Sequence, residues 1–264
     1  MNFRILSIIT LVLAIRVSAH AQGFCGLSND AFQSGEKLTY KVYYNVSFMY
    51  VGAGEANFTT TLENLNGVPV YHVIGEGHTY HSYDWIFKVR DQYESYIDTA
   101  TMLPLRFIRK VSEGDYRKFN TVSFDHVHHK ATSKNGTFEV PNCVQDVLSA
   151  IYYARNIDFD RYRPGDKIPF SMFLDDDVYH IYIRYLGKQK VTTRYGTFNA
   201  IEFSPLLIKG TIFEGGEKMT VWVSDDRNKI PLRINSPISV GSIKVDLVGY
   251  RNIRHPFTSL ISKK

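Results

Sequence analysis

A short pattern occurs twice in this chain and constrains its fold more than any other feature. In both copies an aspartate is followed, after five residues, by Pro-Leu-Arg: Asp98, Pro104 and Arg106 in the first, Asp225, Pro231 and Arg233 in the second. An aspartate at a strand end can hydrogen-bond to nearby backbone and start a turn. A proline cannot donate to a strand ladder, so it belongs at the first residue of the returning strand. The pattern predicts a β-hairpin with a short loop, made twice. We expect each arginine to pair with an acid of its own hairpin, such as Asp98 or Asp225, rather than to clamp an anion.

The rest of the chain alternates apolar and polar residues at the spacing of hairpins. About a dozen strands are predicted, and one convincing helix, over about residues 142–156. Asn142 is expected to cap this helix, with Gln145 returning the bond. Its apolar stripe has helical spacing and consists of Val144, Val147, Leu148, Ile151 and Ala154. We therefore predict a mostly β protein, with a curved antiparallel sheet or open β-barrel on which this helix packs.

The N-terminus has the pattern of a cleavable signal peptide. Arg4 precedes an apolar run from Ile5 to Ala14, and small residues follow at Ala19 and Ala21. The apolar run is short for a membrane span, which needs ~20 residues. We predict a signal peptide over residues 1–21, cleaved between Ala21 and Gln22.

The remaining chain has no linker rich in Pro, Gly or Ser. We predict an N-terminal arm over residues 22–31, a single β-rich domain over residues 32–254 and a flexible tail over residues 255–264. The alternative division of the large domain is into two β halves joined by the helix.

The net charge limits the classes of partner that we expect, and the two cysteines bear on the compartment. The net charge of +5 falls to +3 when Arg4 and Arg16 are removed with the signal peptide, and acids and bases are interleaved. We therefore expect no nucleic-acid partner, and at most a peripheral contact with an anionic membrane. Cys25 and Cys143 are predicted to form one disulfide in an oxidising compartment. The alternative is a reactive thiol at Cys143, in the first turn of the predicted helix.

Aromatic residues, 14% of the chain, are the main candidates for a ligand site. Tyr and Trp combine a large apolar body with a polar tip. The candidates for a groove that binds a lipid or sugar are Tyr40, Tyr44, Tyr83, Trp85, Tyr93, Tyr96, Tyr152, Tyr153 and Trp222. The alternative is that these residues, which favour strands, fill the core of a curved sheet.

Motifs of the common enzyme classes are absent from the sequence, and no cofactor is predicted. His126 and His128 would share one face of a strand and are the candidates for a metal site, although the interpretation as a polar edge strand is favoured. The acidic turn Asp175–Asp177 offers oxygen ligands to a hard cation, or is simply a solvated turn.

Four segments resemble an uncharacterised family of exported bacterial proteins, the domain of unknown function 3108. They are Phe32–Tyr44, Tyr83–Asp91, Leu103–Arg106 and Asp146–Tyr153, and the resemblance extends from about Phe32 to Arg254. It implies the periplasm or cell envelope of a Gram-negative bacterium, and it implies no activity. The repeated hairpin is also similar to one in periplasmic lipoprotein carriers, which are curved sheets closed by helices around an apolar cavity. This chain departs from them, because it shows one helix where the carriers have several.

The leading hypothesis is a non-enzymatic envelope protein that binds a hydrophobic or amphipathic ligand, either a lipid or a lipidated partner such as a lipoprotein. The second hypothesis is a structural or assembly factor that docks another envelope protein through a sheet edge. The third is an unrecognised metal-dependent hydrolase that uses His126, His128 and nearby acids.

Overall fold

The computed structural model describes residues 25–46, 49–208, 215–238 and 241–264. The predicted signal peptide, with its cleavage between Ala21 and Gln22, lies outside the described residues. The strands of the first half are β1 Lys37–Val46, β2 Met49–Leu65, β3 Val68–Thr79, β4 Arg90–Asp98, β5 Pro104–Glu113, β6 Tyr116–Asp125, β7 Lys130–Ser133 and β8 Gly136–Glu139. One α-helix follows, α1 Val147–Ala154, and two single 3₁₀ turns lie at His81–Tyr83 and Phe159–Arg161. The strands of the second half are β9 Lys167–Leu174, β10 Asp177–Thr192, β11 Gly196–Pro205, β12 Thr220–Ser224, β13 Pro231–Pro237, β14 Ser242–Arg251 and β15 Leu260–Lys263.

These strands form one antiparallel sheet built from two meanders. Its order is β8-β7-β6-β5-β4-β3-β2-β1-β14-β13-β12-β11-β10-β9, with β15 added to β11. The two meanders meet where β1 pairs with β14, in a register that places Lys37 opposite Arg251. This confirms the predicted fold class, a mostly β protein with a large curved antiparallel sheet that is not closed. Within the described residues, no helix is long and apolar enough to cross a membrane.

Strand β6 illustrates how the sequence directs one face of a strand inward. Asn120, Val122 and Phe124 are buried, whereas Ser123 and Asp125 between and after them are exposed. This period of two is the geometry of a strand with one covered face. Each fully buried apolar side chain contributes about 1.5–3 kcal/mol, so the alternation also fixes the strand's register.

The two signature hairpins are β4–β5 and β12–β13, and each returning strand begins at its proline, Pro104 or Pro231. In the first hairpin, Asp98 Oδ1 accepts a hydrogen bond from a backbone N–H two residues later, at 2.7 Å. In the second hairpin the equivalent bond is made by Asp226 and not by Asp225, at 3.0 Å.

The predicted partners of the two arginines are wrong. Arg233 forms a bidentate pair with Asp246 of β14, at 2.6 and 2.7 Å, and the Arg106 guanidinium lies 5.9 Å from the centre of the Tyr96 ring. The reason is cross-strand register, because Asp246 and Tyr96 are the residues directly opposite these arginines. Asp225 instead pairs with a lysine of β10, at 3.0 Å.

Helix α1 is shorter than predicted, and its predicted cap at Asn142 and Gln145 is wrong. Asp146 is the N-cap: its Oδ1 accepts from the N–H groups of Leu148 and Ser149, at 2.8 and 2.9 Å, and Ser149 Oγ accepts from the N–H of Asp146. Before the helix the chain is extended, because the N–H of Gln145 donates to the carbonyl of Ser171 in β9 and the carbonyl of Gln145 accepts from the N–H of Phe173 in β9. A long-range pairing thus displaces the local cap that the sequence favours.

The helix connects β8 to β9, the two outermost strands of the sheet, and packs inside its curve. Leu148, Tyr152 and Tyr153 of α1 are buried with side chains of both meanders, for example Val73 of β3 and Ile201 of β11. One apolar core therefore spans the two meanders.

Side chains connect the two edges of the open sheet. The contacts join β5–β8, near one edge, to the β9–β10 turn at the other edge. Arg109 of β5 and Lys118 of β6 both form ion pairs with Asp175, and Asn135 Nδ2 donates to Asp176 Oδ2 at 2.5 Å. Asp175 and Asp176 both have left-handed backbone, with φ of +54° and +68°. Asp175 and Asp176 thus have protein partners, while Asp175 and Asp177 are exposed, which agrees with a turn in solvent between two strands.

Both ends of the described part of the chain are anchored. Cys25 and Cys143 form a disulfide with Cα atoms 5.4 Å apart, and Cys143 precedes α1 instead of lying in its first turn. Residues 255–264 were predicted to be a flexible tail, and here the prediction is wrong: Leu260–Lys263 forms β15. The tail is ordered because β11 extends beyond β12. Residues Gly196–Phe198 of β11 are not paired with β12 and instead pair with β15.

A buried ion pair joins the start of β1 to the end of α1. Glu36 and Arg155 are in bidentate contact, at 2.5 and 2.9 Å, and their side chains are 0% and 2% exposed. Arg155 Nε also donates to the carbonyl of Asn228 in the second signature hairpin, at 3.1 Å. The guanidinium packs against the rings of Phe32 and Tyr152, 5.4 and 5.3 Å from their centres.

Candidate functional site

At one end of the strands of the first meander, the loops expose a group of apolar side chains to solvent. Trp85, Ile86 and Phe87 lie in the loop between β3 and β4 and are 82%, 62% and 46% exposed, and Tyr116 at the start of β6 is 44% exposed. We call these four residues the apolar tip. Singly exposed apolar residues are ordinary, whereas a cluster of them marks a surface that binds a membrane, a protein or a ligand.

The apolar tip is held in place by the neighbouring β5–β6 hairpin. The N–H of Gly114 donates to the carbonyl of Lys88 at 2.8 Å. A Cβ at Gly114 would lie 2.9 Å from the Phe87 ring, and its φ of +55° also favours glycine. The sequence therefore needs glycine at this position both for the turn and for the ring that packs on it.

Asp84 anchors the other side of the loop. Its carboxylate accepts hydrogen bonds from Arg90 and from the hydroxyl of Thr79, both at 2.7 Å, and these bonds lower its pKa to about 2. The indole Nε1 of Trp85 donates to the carbonyl of Ser82 at 2.9 Å. The polar atom of Trp85 is thus satisfied within the loop, while the ring's apolar surface faces solvent.

A shallow groove of about 300 Å³ runs along the same hairpin, and we call it the basic groove. Its lining residues are Arg90, Lys110, Val111, Ser112, Arg117, Lys118 and Phe119. Four of these seven residues are cationic. Arg90, Lys110 and Lys118 pair with Asp84, Glu94 and Asp175, respectively, and Arg117 donates to backbone carbonyls, so an anionic occupant would share these donors with the protein. Phe119 is 59% exposed and extends the apolar surface into the groove.

Two half-buried carboxyl groups, Asp91 of β4 and Glu113 of β5, hydrogen-bond to each other beside the groove. Burial raises the pKa of both, and the charge of Asp91 helps to raise that of Glu113 to about 7. Arg109 opposes the shift through its positive charge. Sequence reasoning missed this pair, because strand register alone brings two ordinary strand-end acids together.

The nine aromatic residues proposed from the sequence do not converge on one groove. Three are buried in the core: Tyr40, Tyr152 and Tyr153. Four are dispersed: Tyr93 packs at the edge of the core, Tyr96 stacks on His72, Tyr44 is 37% exposed, and Tyr83 ends the first 3₁₀ turn. Trp85 lies in the apolar tip, and Trp222 lines a second groove, on the second meander. Period-two alternation could not predict which of these residues are buried and which are exposed, since it does not show what covers each face of the sheet.

The predicted strand geometry of His126 and His128 is wrong, because β6 ends at Asp125 and both histidines lie in the following turn. His126 Nε2 is 2.7 Å from the carbonyl oxygen of Pro104, while His128 Nδ1 is 2.7 Å from Asp125 Oδ2. The two side chains thus have separate partners. In the described part of the chain, no group of three or more His, Cys, Asp or Glu residues is placed to hold a metal ion.

The helix cap Asp146 is a completely buried carboxyl group. Burial raises its pKa to about 7, against the opposing effect of the Ser95 hydroxyl, which donates to Oδ2 at 2.6 Å, and of the helix N–H groups. The raised pKa means that the folded protein holds a proton here that the unfolded chain has lost. The contribution to stability is therefore complete below pH 3.8 and is lost as the pH rises through about 7.

Asp146→Asn tests this linkage, because asparagine keeps an acceptor for the helix N–H groups and carries no charge. Between pH 4 and pH 8 we expect the stability of the variant relative to the parent to rise by at least about 1.4 kcal/mol, which corresponds to one pKa unit. Urea unfolding at several pH values measures the difference. A constant difference across this range would contradict the raised pKa.

The comparisons with known proteins concern the family and the fold. The model of a family described as "Protein of unknown function (DUF3108)" matches residues 39–248. None of the curated proteins matches the chain. A β-barrel-like protein of the domain of unknown function DUF1849 from Brucella abortus is similar in structure, with a TM-score of 0.52 and 11% identity over 85% of this chain and 99% of that one. At this identity the similarity concerns the fold alone.

Two further solved structures show weaker similarity. A protein from Bacteroides fragilis, described as exported and as having a YmcC-like fold, has a TM-score of 0.39 and 12% identity over 86% of this chain and 100% of that one. A protein from Parabacteroides distasonis, described as a lipoprotein, has a TM-score of 0.35 and 12% identity over 84% of this chain and 100% of that one. The family match covers most of the chain, and it agrees with the resemblance carried by the four sequence segments: the chain belongs to the family of proteins of unknown function DUF3108.

Proposed function

We propose that this chain is a non-enzymatic binding protein of the bacterial envelope, located in the periplasm, and that its apolar tip and basic groove bind anionic lipid at a membrane surface. The observation that carries the proposal is the exposed cluster of Trp85, Ile86 and Phe87. The four cations of the adjoining groove, three of which pair with carboxylates of the protein, add a smaller electrostatic contribution. Aromatic side chains favour the interface between headgroups and acyl chains. Each cation close to an anionic surface adds about 1 kcal/mol.

The filled interior supports a site on the surface rather than in a cavity. In lipoprotein carriers, to which the hairpin is similar, an acyl chain would occupy the space between sheet and helix. Here Phe32, Tyr152 and Tyr153 fill that space and are at most 2% exposed. The disulfide supports an oxidising compartment, as does the predicted signal peptide.

Binding to vesicles tests the proposal. In the Trp222→Phe protein, Trp85 is the remaining one of the chain's two tryptophans and reports on the apolar tip. We expect its emission to shift to shorter wavelength with phosphatidylglycerol vesicles and much less with phosphatidylcholine vesicles. In co-sedimentation, Trp85→Ala combined with Phe87→Ala should weaken binding at least tenfold, since about 1.4 kcal/mol of lost burial is enough for that factor.

Val127→Ala is the matched control. Val127 is also 82% exposed but follows the other end of β6, about 30 Å from the hairpin turn at ~3.3 Å per residue. Its substitution should leave vesicle binding unchanged. Binding of neither vesicle, or equal weakening by the control, would contradict the proposal. The first of these outcomes would favour docking of another envelope protein through a sheet edge.

A further inference from the structure

A second groove, of about 410 Å³, lies on the second meander, away from the apolar tip. Its lining residues come from β10 and from β12 to β14: Gln189, Lys190, Val191, Thr192, Trp222, Arg233, Asn235 and Lys244. Its volume is within the range of small-ligand sites, which is roughly 300–1,000 Å³. We call it the tryptophan groove.

Strand register builds one wall of the tryptophan groove. Trp222 of β12 lies opposite Arg233 of β13, and Asn235 of β13 lies opposite Lys244 of β14. The guanidinium of Arg233 is held in place by its bidentate pair with Asp246. The wall therefore presents an indole ring, an amide and an ammonium group at positions that the sheet keeps constant.

Trp222 carries a polar atom that the fold leaves unsatisfied. Its indole Nε1 is buried, and among the described residues none accepts a hydrogen bond from it. An indole N–H can only donate, and an unpaired buried donor costs about 1–3 kcal/mol. In contrast, the Nε1 of Trp85 has its acceptor within the loop. The unsatisfied donor at Trp222 favours an occupant that supplies acceptor oxygens.

The chemistry of the lining narrows the class of occupant. Lys190 and Lys244 are cationic, Asp246 neutralises the charge of Arg233, and Gln189 donates to Glu202, which lies opposite Trp222. Val191 is the one aliphatic side chain of the lining. An acyl chain would find little apolar surface here. A sugar ring matches better, because its C–H face packs on an indole ring while its hydroxyl oxygens accept from amide and ammonium donors.

We propose that the tryptophan groove is a second binding site, which takes a negatively charged sugar unit. Trp222 packs on the ring through its indole face, its in-plane N–H donates to an oxygen that extends past the indole edge, and Lys190 and Lys244 bind the carboxylate or phosphate. The proposal is independent of lipid binding at the apolar tip, which lies on the other meander.

The two tryptophans allow the sites to be tested separately. In the Trp85→Phe protein, Trp222 is the remaining tryptophan and reports on its own groove. Trigalacturonate probes for a carboxylated sugar, glucose 6-phosphate for a phosphorylated one, and maltotriose is the neutral control. We expect a saturable change in Trp222 emission with at least one acidic probe and none with maltotriose. In isothermal titration calorimetry, the unmodified protein should likewise bind at least one acidic probe and should not bind maltotriose.

Charge-removing variants show whether the response is specific. Lys190→Gln combined with Lys244→Gln should weaken binding of the acidic probe at least tenfold, whereas Lys134→Gln, an exposed residue of the β7–β8 turn that lines neither groove, should leave it unchanged. The proposal is overturned by no saturable response to either acidic probe, by equal affinity for maltotriose, or by equal weakening in the Lys134→Gln control. Vesicle binding through Trp85 is unaffected by any of these results, so each proposal can fail alone.

Discussion

Replacing Arg155 with alanine is expected to lower the free energy of unfolding by about 3–5 kcal/mol, because it leaves the fully buried Glu36 carboxylate without its partner. The substitution also removes the hydrogen bond to the Asn228 carbonyl and the contacts with the rings of Phe32 and Tyr152. Three distant parts of the fold lose a common contact: the start of β1, the end of α1 and the second signature hairpin. Urea unfolding followed by far-UV circular dichroism measures the loss.

Two comparisons separate the buried charge from the general loss of an arginine. Arg227 also pairs with a carboxylate, that of Asp30 at 2.9 Å, but the two side chains are 68% and 55% exposed. Arg227→Ala should therefore lower stability by less than about 1 kcal/mol. Arg155→Met combined with Glu36→Leu removes both charges and should cost less than Arg155→Ala alone. Equal effects of Arg155→Ala and Arg227→Ala would refute this account.

Loss of the disulfide between Cys25 and Cys143 should have the second large effect. The bond closes a loop with a sequence separation of 118 residues, and for loops of this size chain entropy predicts about 4–5 kcal/mol. Strain and residual structure reduce such values in practice, so we expect a loss of about 2–5 kcal/mol for Cys25→Ser combined with Cys143→Ser. The midpoint of urea unfolding, with and without a reductant, measures it.

The double serine variant also supplies the control for the reductant. Its unfolding midpoint should be the same with and without reductant, whereas the parent's midpoint should fall to that of the variant when its disulfide is reduced. Identical midpoints for the parent and the variant under oxidising conditions would show that the disulfide contributes nothing to stability.

Local chemistry made the hairpins predictable, whereas long-range register did not. An aspartate and a proline act within a few residues, and Pro104 and Pro231 begin the returning strands that the sequence indicated. The partner of Arg233 is a residue of the next strand, and the start of α1 depends on β9 taking the backbone of Gln145. Both depend on which distant segments meet, and one sequence does not contain that information in a form that periodicity reveals.

At the candidate sites, too, local features could be predicted from the sequence, whereas features that depend on strand register could not. Trp85 could be singled out because the apolar run around it follows no regular period, which is unusual for residues that pack in a core. Trp222 could be selected as an aromatic residue, but its unsatisfied N–H and its cationic neighbours follow from the pairing of β12, β13 and β14. The pair Asp91 and Glu113 gave no signal, because each acid is ordinary until β4 and β5 align.

The pairing of β1 with β14 has a consequence for how the protein is made. The second strand partner of β1 lies close to the C-terminal end of the chain, so the ribosome completes the first meander long before that partner exists. Until then β1 presents an open row of backbone donors and acceptors, which is a template for association with other chains. Sheets that depend on such distant contacts also fold slowly. We therefore expect incomplete chains to be prone to association, and protection by a chaperone during this interval to raise the yield of the native sheet.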